Sequence, residues 1–206
     1  MRIAHLNALV FALCAIPALC AAQQAAAPTV QTYELSASIL KGYQQLQADL
    51  AAAADKMPDE FYSFRPTSEI RPFGQLVAHV ALAQFRTCSQ LKGDADSHKD
   101  EKEDKPWSKA EALALLKSST AYCDPQVNVL TDATMAQMID REKFRAAKGL
   151  FPAEILVHGS EMYGAMAVYL RLKNIVPVPR GAASSVKVTD SVDPSAAVPF
   201  VRISSL

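Results

Sequence analysis

The chain has 206 residues, half of them hydrophobic, and its 21 basic residues balance 21 acidic ones. This composition excludes a disordered chain, and the zero net charge provides no basic surface for nucleic acid. One domain of ordinary size with a substantial hydrophobic core is expected.

The first 22 residues have the three parts of a secretory signal peptide. Arg2 supplies the positive charge, an apolar run extends from Leu6 to Leu19, and small residues lead up to Ala22. The run is shorter than the ~20 residues of a transmembrane helix. We therefore predict cleavage near Ala22, a secreted or periplasmic location, and no membrane span in the mature form. Because only Arg2 among the charged residues is lost, the mature net charge becomes −1.

Cleavage also reduces the four cysteines to two, Cys88 and Cys123. An even pair in an oxidising compartment can form a disulfide, and two free buried thiols are the alternative. The chain has no CxxC motif or Cys/His cluster, which excludes a structural zinc site. Both cysteines fall on the inward faces of predicted helices, which favours the bridge.

After a linker over residues 23–32, amphipathic helices are predicted within residues 33–176. The first runs from Tyr33 to Asp55. The second begins at Pro72, whose missing N–H is tolerated in the first helical turn, and His79 lies on or near its apolar face. The apolar stripes of these helices are Ile39, Tyr43, Leu46 and Leu50, and Phe73, Leu76, Val77, Val80, Ala83 and Leu91.

The segment from Lys92 to Lys105 is dominated by charge, since ten of its fourteen residues are charged. We interpret it as a solvated loop rather than a partner-binding surface. The third helix begins at Ser108, which forms a capping box with Glu111. Pro125 is a point at which this helix would be disturbed.

The remaining chain contains one more long helix. Residues 131–149 are more polar and predict a connection with one short helical turn around Met135 to Asp140. A fourth helix is predicted from Pro152 to about Lys173, followed by Asn174 as its cap. Residues 177–206 favour an irregular tail over a strand at Val186 to Val192. The predicted fold is an all-α four-helix bundle with an irregular C-terminal tail.

Histidines are the residues most suited to carry chemistry in this bundle. His5 is lost with the signal peptide and His98 lies in the charged loop, which leaves His79 and His158 on helix faces that line the interior. Imidazole is a common ligand of zinc, nickel, iron and copper. A buried histidine hydrogen-bonded to a fixed protein group is the structural alternative.

Two segments resemble the DinB-like (DinB/YfiT) superfamily, in particular its exported branch. They are FRPTSEIRPFGQLVAHVA, from Phe64 to Ala81, and HGSEMYGAMAVYLRLKNIVPVP, from His158 to Pro179. The resemblance implies a four-helix bundle of DinB-like type in which three histidines hold a divalent metal. One histidine comes from the second helix and two, four residues apart, from the last. Exported relatives are also similar in having one cysteine late in the second helix and another in the third.

Transferred to this sequence, the resemblance implies metal ligands at His79, His158 and Met162. Met162 departs from the pattern, because a thioether is a poor ligand for zinc, nickel or iron(II), although it suits copper(I). Glu161 is the nearest other candidate, but a helix turns it about 100° away from Met162. The resemblance implies at most a metal-dependent hydrolase or thiol transferase, and whether the chain is an enzyme stays open.

These residues support three functional hypotheses. The first is an exported DinB-like protein that binds zinc, nickel or iron through an incomplete histidine triad. The second is a non-catalytic bundle that has lost the metal and binds a small molecule, a thiol or a protein partner. The third is copper(I) binding through His79, His158 and Met162. A homodimer is compatible with each of them.

Overall fold

The computed structural model describes residues 34–177, all of which belong to one compact unit that begins at Tyr33. The predicted signal peptide, the linker and the tail beyond Pro177, including the strand considered at Val186 to Val192, lie outside the described residues. No helix within residues 34–177 has both the length and the apolar composition needed to cross a membrane.

The described chain is mainly helical. Its long helices are α1 (Leu35–Lys56), α2 (Phe73–Lys92), α3 (Lys109–Val127) and α5 (Leu150–Leu172). A 3-10 turn at Asp59–Phe61 follows α1, and α3 is joined to α5 by a short helix α4 (Asp132–Met135) and the strands β1 (Met138–Arg141) and β2 (Phe144–Ala147). The two strands pair antiparallel, with Met138 opposite Ala147.

The four long helices form the predicted bundle. Helix α2 packs against α3 and α5, and α1 packs against the same two helices. The predicted apolar stripes of α1 and α2 face the interior, with Ile39 partly buried and the rest buried. Apolar residues of α3 and α5 are buried with them: Ala112, Leu116 and Val127 of α3, and Ile155, Met166 and Tyr169 of α5. Each buried side chain of this size contributes about 1.5–3 kcal/mol of transfer free energy.

The helix boundaries largely follow the predicted capping signals. Ser108 and Glu111 form the capping box, in which each side chain binds the backbone N–H of the other residue. Asn174 has a φ of 59°, the left-handed conformation expected just past a helix end. Helix α2 begins at Phe73 because Pro72 is extended and serves as the N-cap, and α5 begins at Leu150 rather than Pro152.

Helix α3 continues through Pro125 to Val127 instead of being broken there. Proline removes one intrahelical hydrogen bond, and the helix ends two residues later, so the disturbance is confined to its last turn.

The connection over residues 131–149 corrects the sequence prediction. The helical turn lies at Asp132–Met135, because Thr131 caps it through Thr134, and Met138 to Asp140 form a strand instead. Arg141 at the end of β1 donates from Nε to the carbonyl of Gln90 and from Nη2 to that of Leu91, at 2.7 and 2.9 Å. The hairpin thus supplies donors to the last carbonyls of α2.

Candidate metal centre

The two inward histidines meet between α2 and α5. Nε2 of His79 lies 3.0 Å from Nε2 of His158, and the ring centroids are 4.9 Å apart. Both side chains are only partly buried. The sequence analysis predicted that these residues, 79 positions apart in the chain, would share one site, and the structure brings their Nε2 atoms into direct contact.

Glu103 holds the other nitrogen of His79. Its Oε2 atom lies 2.9 Å from Nδ1 of His79, and its Oε1 atom lies 2.8 Å from Nη1 of Arg71. The contact with Arg71 is an ion pair without hydrogen-bond alignment, since Nη1 has no hydrogen-bond partner within the described residues. The loop over Lys92 to Lys105 is therefore linked to the site through Glu103, whose side chain is 38% exposed.

The loop reaches the site because its C-terminal end is anchored on α2. The indole of buried Trp107 donates to the carbonyl of Glu103 at 3.1 Å, and Nε2 of Gln75 donates to the carbonyl of Asp104 at 2.6 Å. Gly74 permits this approach, because a Cβ atom there would lie 2.6 Å from the carbonyl oxygen of Trp107. Nothing in the spacing of the charged segment distinguishes Glu103 from its neighbours, and only Trp107 signals an anchored stretch.

Protonation in the histidine pair follows from these contacts. A carboxylate accepts hydrogen bonds only, so Nδ1 of His79 donates to Glu103. In the neutral ring, Nε2 of His79 then carries the lone pair, and His158 donates to it. Burial lowers the pKa of His158, a protonated His79 ring would lower it further, and Glu161 opposes this shift. The lowered pKa favours the neutral form of the His158 imidazole, which is the form in which histidine can bind a metal.

Met162 lies one helical turn after His158 and borders an open cleft. The cleft has a volume of about 550 Å³ and a mainly apolar lining. Its walls are Pro66, Glu69, Ile70, Arg71, Leu76, His79, Met162, Ala165, Val168 and Tyr169. The hydroxyl of Tyr169 donates to the carbonyl of Arg71 at 2.6 Å, so this buried tyrosine has a polar partner.

The cysteine pair lies on the α3 side of α2. Cys88 and Cys123 form a disulfide with a Cα–Cα distance of 5.5 Å, and both are fully buried. The predicted bridge is confirmed.

The sequence profile of the DinB superfamily matches residues 43–159. This chain belongs to the DinB superfamily. A DinB-like protein from Bacillus subtilis has the same fold, with a TM-score of 0.55 at 18% sequence identity over 69% of this chain and 96% of that one. A DinB-like protein from Bacillus cereus gives a TM-score of 0.54 at 17% identity over 68% and 93% of the two chains. At these identities the likeness concerns the fold. No curated protein matches the chain.

The resemblance implies a metal centre of three ligands, and the side chains of the described residues can be compared with it. Two Nε2 atoms 3.0 Å apart can both reach one cation at the usual distance of about 2.0–2.1 Å. Within residues 34–177, no three His, Cys, Asp or Glu side chains gather as a metal site. Glu103 binds the far nitrogen of His79, and Glu161 is exposed. Two imidazoles are therefore the ligands that the described residues offer to one cation, and Met162 lies one helical turn after His158, where the resemblance implies the third ligand.

Proposed function

We propose that this DinB-superfamily protein is exported and binds one divalent metal, zinc, nickel or iron(II), through His79 and His158. The observation that carries the proposal is the convergence of the two Nε2 atoms while Glu103 occupies Nδ1 of His79. Metal-ligating histidines characteristically give their second ring nitrogen to a carboxylate, and this arrangement raises the basicity of the ligand.

Each residue of the site has a distinct role in this proposal. His79 and His158 would hold the metal through their Nε2 lone pairs, with the proton of His158 then on Nδ1. Met162 lies one helical turn after His158, and water or a small exogenous ligand would complete the coordination. A bound metal would supply a Lewis acid of the kind used in hydrolysis or thiol transfer. The cleft of about 550 Å³ gives a small molecule or thiol access to the same region through its His79 wall.

Metal analysis of the mature protein tests this function. The protein is purified from its export compartment without a polyhistidine tag, and the metal content is compared for wild type, His79→Ala, His158→Ala and the control His98→Ala. His98 lies outside the pair, against Phe85 with a ring-centroid distance of 3.8 Å. We expect about one metal per chain in wild type and His98→Ala, and loss of metal in the other two variants.

Two other results of the metal analysis would favour a different function. A metal-free, fully folded wild type would overturn the proposal and favour the second candidate, a non-catalytic binding protein that uses the apolar cleft. Copper(I) retained in preference to zinc would favour the thioether of Met162 as a ligand.

Export is tested separately by the N-terminus of the protein recovered from the periplasm or medium. Cleavage after Ala22 gives a mature chain that begins at Gln23. An intact Met1 in the recovered protein would contradict this part of the proposal.

A further inference from the structure

We propose that Glu103 is the positioning residue of the His79–His158 site and that the α2–α3 loop serves to deliver it. Its carboxylate fixes His79 with the proton on Nδ1, so that the Nε2 lone pair faces His158 and a bound cation. The metal-affinity part of this inference rests on the proposed function, whereas the tautomer of His79 does not.

The contacts of Glu103 connect α2 with α5 in two ways, one through His79 and one through Arg71. Glu103 binds His79, which contacts His158 of α5, and it also pairs with Arg71 just before α2. The carbonyl of Arg71 accepts a hydrogen bond from Tyr169, which lies about three turns after His158 in α5. The carboxylate is thus held from one side by Arg71 and presents its second oxygen to His79.

The energetics favour orientation over stabilisation as the role of this carboxylate. The side chains of Arg71 and Glu103 are both 38% exposed, and an ion pair with this exposure adds little to stability. A neutral imidazole, in contrast, has two tautomers, and a carboxylate at Nδ1 selects the one that leaves Nε2 free. The negative charge also offsets the nearby Arg71 guanidinium, which would otherwise repel a cation.

The backbone around Glu103 is built to hold this position. Trp107 donates to the carbonyl of Glu103, and Gln75 donates to the next carbonyl along the loop. Trp107 is 8% exposed, and the Lys105 ammonium lies 4.0 Å from its ring centroid. Glu101 is different, because its carboxylate pairs with Lys105 at 2.6 Å and makes no contact with the histidines. It is therefore a matched control with the same charge in the same loop.

The test compares Glu103→Gln with Glu101→Gln in two measurements. Zinc affinity is determined by competition with a chromophoric chelator, and the His79 tautomer is read from long-range ¹H–¹⁵N NMR of metal-free protein. We expect Glu103→Gln to weaken zinc binding by about 10–100-fold and to lower the population with a proton on Nδ1. Glu101→Gln should match wild type in both measurements.

A double-mutant comparison separates positioning from a general effect of charge. In the His79→Ala background, Glu103→Gln should cause no further loss of zinc affinity, because the carboxylate acts through the imidazole. Equal losses for Glu103→Gln and Glu101→Gln, or an unchanged His79 tautomer in Glu103→Gln, would overturn the inference. If wild type binds none of zinc, nickel and iron(II), the proposed function fails, and the tautomer measurement still decides whether Glu103 positions His79.

Discussion

Helix α2 presents two different polar sites on opposite faces. His79 and Cys88 are nine residues apart, which corresponds to about 180° around the helix axis. On the α3 side, Cys88 is bonded to Cys123, and Gln84 bonds to Gln47 and Ser119 at 3.0 Å each, all of them buried. On the α5 side, the histidine pair is partly exposed and is completed by a carboxylate from a loop.

The difference between the two faces shows how one helix combines stability with an exchangeable site. The polar groups on the α3 side are buried, and Gln84, Ser119 and the bridged cysteines are bonded to partners in the bundle, an arrangement that specifies packing. The His79–His158 contact is only partly buried, and in the proposed function each imidazole exchanges this contact for a cation. We therefore expect substitutions on the α3 side to change stability without changing metal binding, and Met162 variants to do the reverse.

Removing the disulfide should cause the largest loss of stability of any substitution on the two faces of α2. The bridged cysteines are 35 residues apart, so the chain-entropy model predicts a loss of about 3–4 kcal/mol in the free energy of unfolding for Cys88→Ala/Cys123→Ala. Urea denaturation measures this loss. Zinc affinity of the folded variant should stay at the wild-type value.

Reduction provides the control for the disulfide prediction. Reduced wild type should lose a similar amount of stability, and unfolded, unreduced wild type should show no titratable thiol. Two free thiols, or a folded double variant that no longer binds zinc, would contradict the separation of the two faces.

Gly159 links the packing of α5 directly to the histidine site. A Cβ atom at this position would lie 2.6 Å from Cδ2 of Leu46, a side chain that is itself 2% exposed. Gly159→Ala should therefore lower the free energy of unfolding by about 1–3 kcal/mol. Because His158 is the preceding residue, the displacement of α5 from α1 should also weaken zinc binding. If Gly159→Ala is as stable as wild type, the prediction is wrong, because α1 and α5 then accommodate the added methyl group without loss of free energy.

Met162→His restores an imidazole where the superfamily resemblance implies the third ligand. With α5 holding His158 and position 162 one turn apart on the same face, zinc affinity should rise more than tenfold, or about 1.4 kcal/mol. Glu161→His is the matched control, because it adds the same ring on the exposed side of the helix. Competition titrations that show no tightening in Met162→His, or equal tightening in both variants, would contradict the inferred site.

Much of the fold could be predicted because its information is local and periodic. Apolar stripes placed the long helices, and Ser108 with Glu111 marked the start of α3. The positions of Cys88 and Cys123 on inward helix faces indicated their bridge. The positions of His79 and His158 on such faces indicated that they share one site. Each of these inferences uses spacing within one helix and the rule that apolar faces meet.

The parts that sequence reasoning missed depend on contacts between distant segments. Glu103 is one of six acidic residues in a run without periodicity, and its selection rests on where Trp107 and Gln75 anchor the loop. The hairpin escaped prediction because each strand has four residues and alternation over so short a stretch is weak. Arg141 stabilises it through carbonyls of α2 some fifty residues earlier in the chain.

Gly164 gives the smallest expected effect and separates helix propensity from packing. It lies five residues after Gly159 in α5, it is exposed, and a Cβ atom there would meet no atom within 4 Å. Gly164→Ala should therefore raise the free energy of unfolding by about 0.5–1 kcal/mol, since alanine restricts the unfolded chain and favours the helix. Zinc affinity should not change. If close contact with α1 at Gly159 holds α5 in place, urea denaturation should show a lower free energy of unfolding for Gly159→Ala and a higher one for Gly164→Ala. Stabilisation of both variants would show that helix propensity outweighs this contact.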